Sequence, residues 1–336
     1  MSGQASRWSA ALVIVTATAA CDNVEWGGAE VRLRHPPPAH VGAARDTTAA
    51  GEDPSTPELP AGPVLYIGSR DSTGVTLSPV GEILEDSIAP FRGEDEVPGY
   101  RAAFVRELLP VGTEFLLFAE GTRVGSFTSE SVETDESFCV PRPAVRGIAE
   151  FLPEAMDHQR FLAVPREHAG GGRRAFEEPT PERDARDASL GLAAEIIPQV
   201  GAEWPGDLLN IRWDLQAFRP DAEGPPLFTV TYLFRDRLRV EPTVPSAYAL
   251  FIMGVPRGGS FEQGYVWYRE AAREGKGAPH FWEQFDWDGD GQTEVLLEVL
   301  GETGRWTAAL DRRSGPWERV FQDPCGAAAP PVVASG

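Results

Sequence analysis

Lysine is almost absent from this chain of 336 residues, since Lys276 is the only lysine among 30 basic residues. Its position in a Gly-Lys-Gly turn argues against Schiff-base and Ser–Lys chemistry. Acidic residues number 51, which leaves a formal net charge of −21 at pH 7. A surface of that charge repels phosphate backbones and anionic lipid headgroups, so nucleic acid is not an expected partner.

Recognisable catalytic motifs are missing as well. The sequence has no Gly-x-Ser-x-Gly turn, no His-Glu-x-x-His motif, no phosphate-binding loop and no Cys-x-x-Cys pair. None of the five histidines has a partner at helical metal-ligand spacing. We interpret His280, which precedes Phe-Trp-Glu, as a strand-edge side chain. Carboxylates are too numerous for one catalytic pair to be singled out, so no catalytic residue is named and a non-enzymatic role is favoured.

The amino terminus lacks an apolar run long enough to span a bilayer, which needs about 20 residues. Residues 8–20 are apolar or small and follow the single charge of Arg7, which is typical of a secretory signal peptide. The sequence Thr-Ala-Ala then leads directly into Cys21.

This arrangement resembles the lipobox of bacterial lipoproteins. The resemblance implies that residues 1–20 are removed and that Cys21 carries the lipid that anchors the chain to a membrane. The expected location is the cell envelope, on the periplasmic side or at the cell surface. The alternative is an ordinary signal peptide cut nearby, with Cys21 incidental.

Cysteine is scarce, with only Cys21, Cys139 and Cys325 in the chain. If Cys21 carries lipid, an even pair remains in a protein that is exported to an oxidising compartment. Such a pair favours a disulfide between Cys139 and Cys325, which would join the first domain to the C-terminal end. Two separate buried thiols are the alternative.

The chain is predicted to be mainly β with minor α. The stretch that follows Cys21 is rich in Pro, Ala, Ser, Thr and acidic residues. It cannot form a hydrophobic core, and we interpret it as a spacer. A second stretch without a hydrophobic pattern, at 166–187, is rich in Gly, Pro and charged residues and is predicted to be a linker. The predicted segments are a signal peptide (1–20), a disordered tether (21–62), a small, barrel-like β-rich domain (63–165), a linker (166–187), an antiparallel β-sheet domain with one short helix (188–325) and a disordered tail (326–336).

The second domain is predicted from eight short apolar segments separated by Gly, Pro or Asp, a spacing that favours antiparallel connection. Its helix is expected over about 188–197, with Asp187 as N-cap. In the first domain, Phe104–Leu109 fits a strand or a helical turn, and 114–118 with 123–128 predict a hairpin. Seven of the nine tryptophans lie between positions 204 and 317, as in a large aromatic core; an exposed glycan platform is the alternative.

One internal segment carries a chemical pattern, Phe285-Asp-Trp-Asp-Gly-Asp-Gly-Gln-Thr-Glu. Alternating acids on a tight loop point inward together, and glycines permit the turn. Calcium prefers six to eight oxygen ligands of this kind. The predicted metal ligands are the carboxylates of Asp286, Asp288, Asp290 and Glu294, with one further oxygen from the carbonyl of Gln292.

The loop departs from an EF-hand, because its twelfth position is Leu297 and a strand-like segment follows. It resembles instead the calcium loops of FG-GAP/VCBS repeats, the integrin-type propeller units, in which an acid near the ninth position closes the set. Glu294 occupies that position. The motif occurs once, so the resemblance implies a structural calcium ion without implying a propeller. A metal-free acidic hairpin turn is the alternative.

These patterns favour a non-enzymatic envelope lipoprotein that presents a calcium-stabilised β domain for binding or assembly. Its expected partners are the membrane, through Cys21, and a protein or glycan of the envelope. Two alternatives stay open. One is a cell-surface glycan or peptide binder that uses the tryptophan-rich sheet, and the other is a hydrolase with carboxylate chemistry.

Overall fold

The part of the chain that the structure describes is mainly β with a minor helical component, as the sequence predicts. The computed structural model describes residues 57–85, 87–168, 176, 179–221, 224–313 and 315–326, which belong to one compact unit, Ser55–Gly336. The predicted signal peptide, Cys21, most of the tether, part of the linker and nearly all of the tail lie outside these residues.

The first seven strands form one antiparallel sheet that closes on itself. Its order is β1-β7-β4-β5-β6-β2-β3, and β1 also pairs with β2, so six strands make a ring and β3 adds to its edge. The hairpin predicted around residues 114–128 is present as β4 and β5. The strands are Val64–Asp71 (β1), Gly74–Ile83 (β2), Ile88–Pro90 (β3), Glu114–Ala119 (β4), Thr122–Asp135 (β5), Arg142–Phe151 (β6) and Arg160–Pro165 (β7).

Both faces of this barrel-like sheet are apolar. Successive side chains of a strand point to opposite faces, so in β4 Phe115 and Leu117 join the inner core while Leu116 and Phe118 belong to a second cluster outside. Helix α1, Tyr100–Leu108, closes the inner core with Phe104. The segment that fitted a strand or a helical turn therefore forms the second half of a helix up to Leu108. The buried residues of that helix, Tyr100, Ala103 and Phe104, fall at spacings of three and four.

The remaining strands form two four-stranded antiparallel sheets, ordered β11-β10-β9-β8 and β12-β13-β14-β15. They pack face to face through one apolar cluster that includes Phe251 from the first sheet and Leu297 from the second. The strands are Arg212–Phe218 (β8), Leu227–Phe234 (β9), Tyr248–Arg257 (β10), Ser260–Glu270 (β11), Ala278–Phe285 (β12), Glu294–Leu300 (β13), Arg305–Asp311 (β14) and Glu318–Gln322 (β15).

Helix α2, Arg183–Gln199, covers the outer face of the β8–β11 sheet. It begins five residues before the predicted start, because Ala185 continues its buried face toward the N-terminus. Asp187, the predicted N-cap, therefore lies within the helix, and Glu182 is the N-cap. Pro198 is tolerated in the last turn, where it removes a single hydrogen bond near the helix end. A further short helix, Ala271–Glu274 (α3), follows β11.

The outer face of the β12–β15 sheet packs against the outside of the barrel. Trp282 and Leu296 join Leu65 and Leu162 in this shared cluster. Five of the seven tryptophans in this half of the sequence are buried, as an aromatic core requires. Trp204 and Trp213 are the exceptions, with 49% and 40% of their surface exposed.

A buried charge pair joins the barrel to the end of the chain. The Arg142 side chain in β6 is fully buried, and its Nη2 lies 3.1 Å from Asp323 Oδ2. Its Nη1 donates to the Pro79 carbonyl at 2.9 Å. Cys139 and Cys325 lie beside this pair at disulfide distance, with their Cα atoms 6.2 Å apart. The start of β6 and the residues just before it therefore contact the C-terminal segment through an ion pair and a cysteine pair.

The single lysine is also buried. The Lys276 side chain has no exposed surface, and its Nζ donates to Asp236 Oδ1 at 2.7 Å and to the Arg237 carbonyl at 3.0 Å. An ammonium group is removed from water only when charged or polar partners replace its hydration. Lys276 therefore fastens the segment before β12 to the loop after β9.

Replacing Arg142 by Met should lower the free energy of unfolding by roughly 3–5 kcal/mol, because the buried Asp323 would lose its counter-ion. Arg146→Met is the matched control on the same strand, since Arg146 pairs with Glu133 through side chains that are 42% and 60% exposed. That change should cost about 1 kcal/mol or less. Denaturant unfolding measures both, and equal losses would contradict the structural role given to Arg142.

Candidate metal centre

The acidic loop connects β12 to β13 at a rigid base. Phe285, the last residue of β12, pairs in register with Glu294, the first residue of β13. The Phe285 ring stacks on Phe118 of the barrel with ring centroids 3.9 Å apart. On the far side of the loop, Thr293 Oγ1 donates to the Pro220 carbonyl at 2.8 Å. The two ends of the loop are thus fixed by contacts with both neighbouring layers.

Hydrogen bonds between residues that are close in sequence determine the curvature of the loop. Asp286 accepts the backbone N–H groups of Gly289 at 2.8 Å and Gly291 at 3.1 Å. Asp288 accepts from Asp290 N at 3.0 Å in a similar turn two residues further on. Gly289 and Gly291 have φ angles of 80° and 88°, a left-handed conformation that disfavours a Cβ. The glycines expected to permit the turn therefore do so.

The structure brings the four predicted carboxylates together. One oxygen from each of Asp286, Asp288, Asp290 and Glu294 lies within 4.8 Å of all the others. Oxygens around one calcium ion, each 2.3–2.6 Å from the metal, are separated by at most about 5 Å. The carboxylate set could therefore hold a metal ion.

Glu294 is the member of the cluster that most needs a further partner. It is 2% exposed, and its Oε2 accepts the Trp287 N–H at 3.1 Å. Among the described residues, its Oε1 has no hydrogen-bond partner. Burial, followed by the charges of Asp286, Asp311 and Asp290, raises the pKa of Glu294 to about 8 despite the bond from Trp287. A cation at the cluster would satisfy this buried oxygen.

Gln292 lies in the same loop, and its backbone N–H donates to Asp290 Oδ1 at 2.7 Å. The metal ligand predicted at its carbonyl stays a prediction. Cys21 lies outside the described residues, so its lipidation also stays a prediction. Within the described residues, no helix combines the length and apolar character needed to cross a membrane.

Arg313 is a residue of this site that the sequence analysis missed. Its guanidinium hydrogen-bonds Asp288 Oδ2, and its Nε lies 2.9 Å from Asp290 Oδ2. Leu310 of β14 pairs with Val295 of β13, so the end of β14 lies beside the start of β13. The register between β13 and β14 brings Arg313 to the loop. No local pattern in the sequence indicates that contact.

A second charged cluster lies around His280. Its Nε2 lies 2.9 Å from Glu298 Oε2, and its Nδ1 lies 3.4 Å from Asp214 Oδ2. Glu298 also pairs with Arg305 at 2.5 Å, and Arg305 pairs with Asp135 at 2.9 Å. His280 does lie on an edge strand, β12, yet it is only 7% exposed. Of its two carboxylates, Glu298 is its direct partner on β13 and Asp214 comes from β8 in the other sheet.

These contacts determine the protonation of His280. Burial alone would lower its pKa, but interactions with Asp214 and Glu298 outweigh burial and raise the pKa to about 9. The pKa values of the Asp214 and Glu298 carboxyl groups are lowered. Burial is the largest single effect and would raise them, but the interactions with His280, together with Arg160 for Asp214 and Arg305 for Glu298, outweigh it. The cluster is therefore an ion network with a positive histidine at neutral pH.

No protein-family model matches this sequence, and comparisons with curated proteins and with solved structures found no similar chain.

The His280 network predicts a loss of stability at alkaline pH. A histidine with pKa about 9 in the folded state and about 6.5 when unfolded stabilises the fold fully below pH 6.5, and this contribution disappears as the pH rises through about 9. The loss between these values should amount to about 3 kcal/mol. Unfolding free energies measured from pH 6 to pH 9.5 test this. Glu294, whose pKa is raised to about 8, titrates in the same range in both proteins, so the expected result is that the stability difference between wild type and His280→Gln shrinks by about 3 kcal/mol across it.

The exposed His168 provides the control, because His168→Gln should leave the pH profile unchanged. An identical slope in the wild type and in His280→Gln would show that the network does not hold a charged histidine.

Proposed function

We propose that this protein is an exported, lipid-anchored envelope protein whose folded part is a non-enzymatic, calcium-stabilised module for binding or assembly. The observation that carries the proposal is the loop at 286–294, where four carboxylates converge and a buried oxygen of Glu294 lacks a partner among the described residues. A cluster of like charges in one turn is unfavourable unless a cation compensates it.

The donor set favours calcium among the common cations. All four ligands are carboxylate oxygens, which suit hard cations rather than zinc or copper. Magnesium binds oxygen at 2.0–2.1 Å, so opposite ligands lie at most about 4.2 Å apart, whereas calcium allows about 5 Å. The spacing of up to 4.8 Å between ligand atoms is compatible with the larger ion.

The proposed role of the ion is structural. The loop is bounded by Phe285, which stacks on Phe118 of the barrel, and by Glu294, the first residue of β13. These two residues pair with each other in the sheet. An ion held there would fasten the hairpin against both layers and relieve the repulsion among the carboxylates. The folded body would then present its surface to a protein or glycan of the envelope.

The export half of the proposal depends on the cysteines. Cys139 and Cys325 lie at disulfide distance, which suits a protein that folds in an oxidising compartment. Cys21 follows an apolar segment in a lipobox-like arrangement, and the chain between it and the folded body is long enough to act as a spacer. Lipid on Cys21 would hold the module at a membrane surface.

Calcium should raise the melting temperature of the folded protein, because the ion binds the native loop and not the unfolded chain. Asp288→Ala should abolish that rise by removing one ligand. Asp221→Asn is the control, since Asp221 pairs with Arg312 outside the cluster. Thermal melts with millimolar calcium and with chelator test the prediction, and a wild-type curve that is indifferent to both would contradict it.

Lipidation predicts that the protein expressed in a bacterium from its own signal sequence carries a diacylglycerol thioether on residue 21. Cys21→Ser should lose the lipid and move from the membrane fraction to the soluble fraction. The double variant Cys139→Ser, Cys325→Ser controls for general cysteine effects and should keep the lipid. Mass spectrometry of the amino-terminal peptide decides, and a cleaved but unmodified Cys21 would support the ordinary signal peptide instead.

A further inference from the structure

The cation position of the acidic loop has a competitor within the chain. The Arg313 guanidinium bonds Asp288 and lies within 2.9 Å of Asp290, two of the four carboxylates of the metal centre. It also lies 3.9 Å from Asp311 Oδ2. A guanidinium and a divalent cation bind the same carboxylate oxygens, so they compete for them.

The same side chain reaches beyond the loop. Arg313 Nη1 donates to the backbone carbonyl of Glu85 at 2.6 Å. Glu85 lies in the turn between β2, which ends at Ile83, and β3, which begins at Ile88. Arg313 thus connects the acidic loop of the β12–β15 sheet to a turn at the edge of the barrel.

We propose that Arg313 sets the metal affinity of the loop as a built-in counter-cation, and that metal binding releases it together with its hold on the Glu85 turn. The inference rests on the proposed calcium site. Without metal, Arg313 compensates Asp288 and Asp290 and keeps the loop close to its bound shape. A divalent cation must displace the guanidinium from these oxygens before it can use them.

The size of the effect of Arg313 on calcium affinity follows from the hydrogen bonds that calcium must replace. Hydrogen bonds between charged groups are among the strong ones in proteins, and two of them must be given up on the carboxylates. Removing the competitor should therefore increase calcium affinity by about tenfold or more. With Arg313 in place, the calcium affinity is correspondingly weaker than in a loop without the competitor.

The test compares Arg313→Gln with Arg312→Gln by calorimetric calcium titration and thermal melts of the mature chain. Arg312 is the matched control, because its ion partner is Asp221. Arg313→Gln should bind calcium at least about tenfold more tightly, melt lower without calcium and gain more on calcium addition. Arg312→Gln should titrate like the wild type. Arg313→Lys, which keeps a charge but loses the planar fork, should fall between them.

Hydrogen exchange of the peptide around Glu85 tests the second half of the proposal. Calcium should speed exchange there in the wild type and should have no effect in Arg313→Gln, where the bond to the turn is already absent. Unchanged or weaker calcium affinity in Arg313→Gln overturns the inference, and so does a turn that ignores calcium in the wild type. Failure of the proposed metal site would look different, because the wild type and all variants would then show no calcium response.

Discussion

One sheet with two apolar faces determines the architecture of this protein. The strands β12–β15 place Phe281 and Leu297 on one side and Trp282 and Leu296 on the other, so neither side can be left in water. The β8–β11 sheet covers the first face, and the outside of the barrel covers the second. The barrel in turn needs apolar residues on both its surfaces, which explains why β4 is apolar at consecutive positions.

The charged groups of the core lie where these layers meet. Arg142 and Asp323 join the barrel to the end of the chain, and His280 is held between Asp214 and Glu298 where the barrel and both sheets approach one another. Such pairs add little net stability compared with apolar contacts, but they are strongly unfavourable when one partner is missing. These charged pairs therefore favour one arrangement of the barrel and the two sheets. Apolar packing alone would define that arrangement less precisely.

Local features of the fold could be predicted from the sequence, and relations between distant segments could not. The hairpin at β4 and β5 and the loop that gathers Asp286 and Glu294 depend on neighbours within about ten residues, so their patterns are visible in one stretch of sequence. Helix α1 stayed ambiguous because its apolar run was too short to reveal a period. Arg313 and the partners of His280 were missed, since strand register and layer packing, not spacing, bring them into place.

The burial of Lys276 gives the folded protein an unusual chemical surface. The only side-chain amine of the chain is enclosed by Asp236 and the Arg237 carbonyl, with no exposed area. Reagents that acylate amines, and cross-linkers built on them, have no side-chain target until the segment before β12 detaches. Acylation of that one amine would therefore mark molecules that have opened, which makes Lys276 a natural reporter of the integrity of the fold.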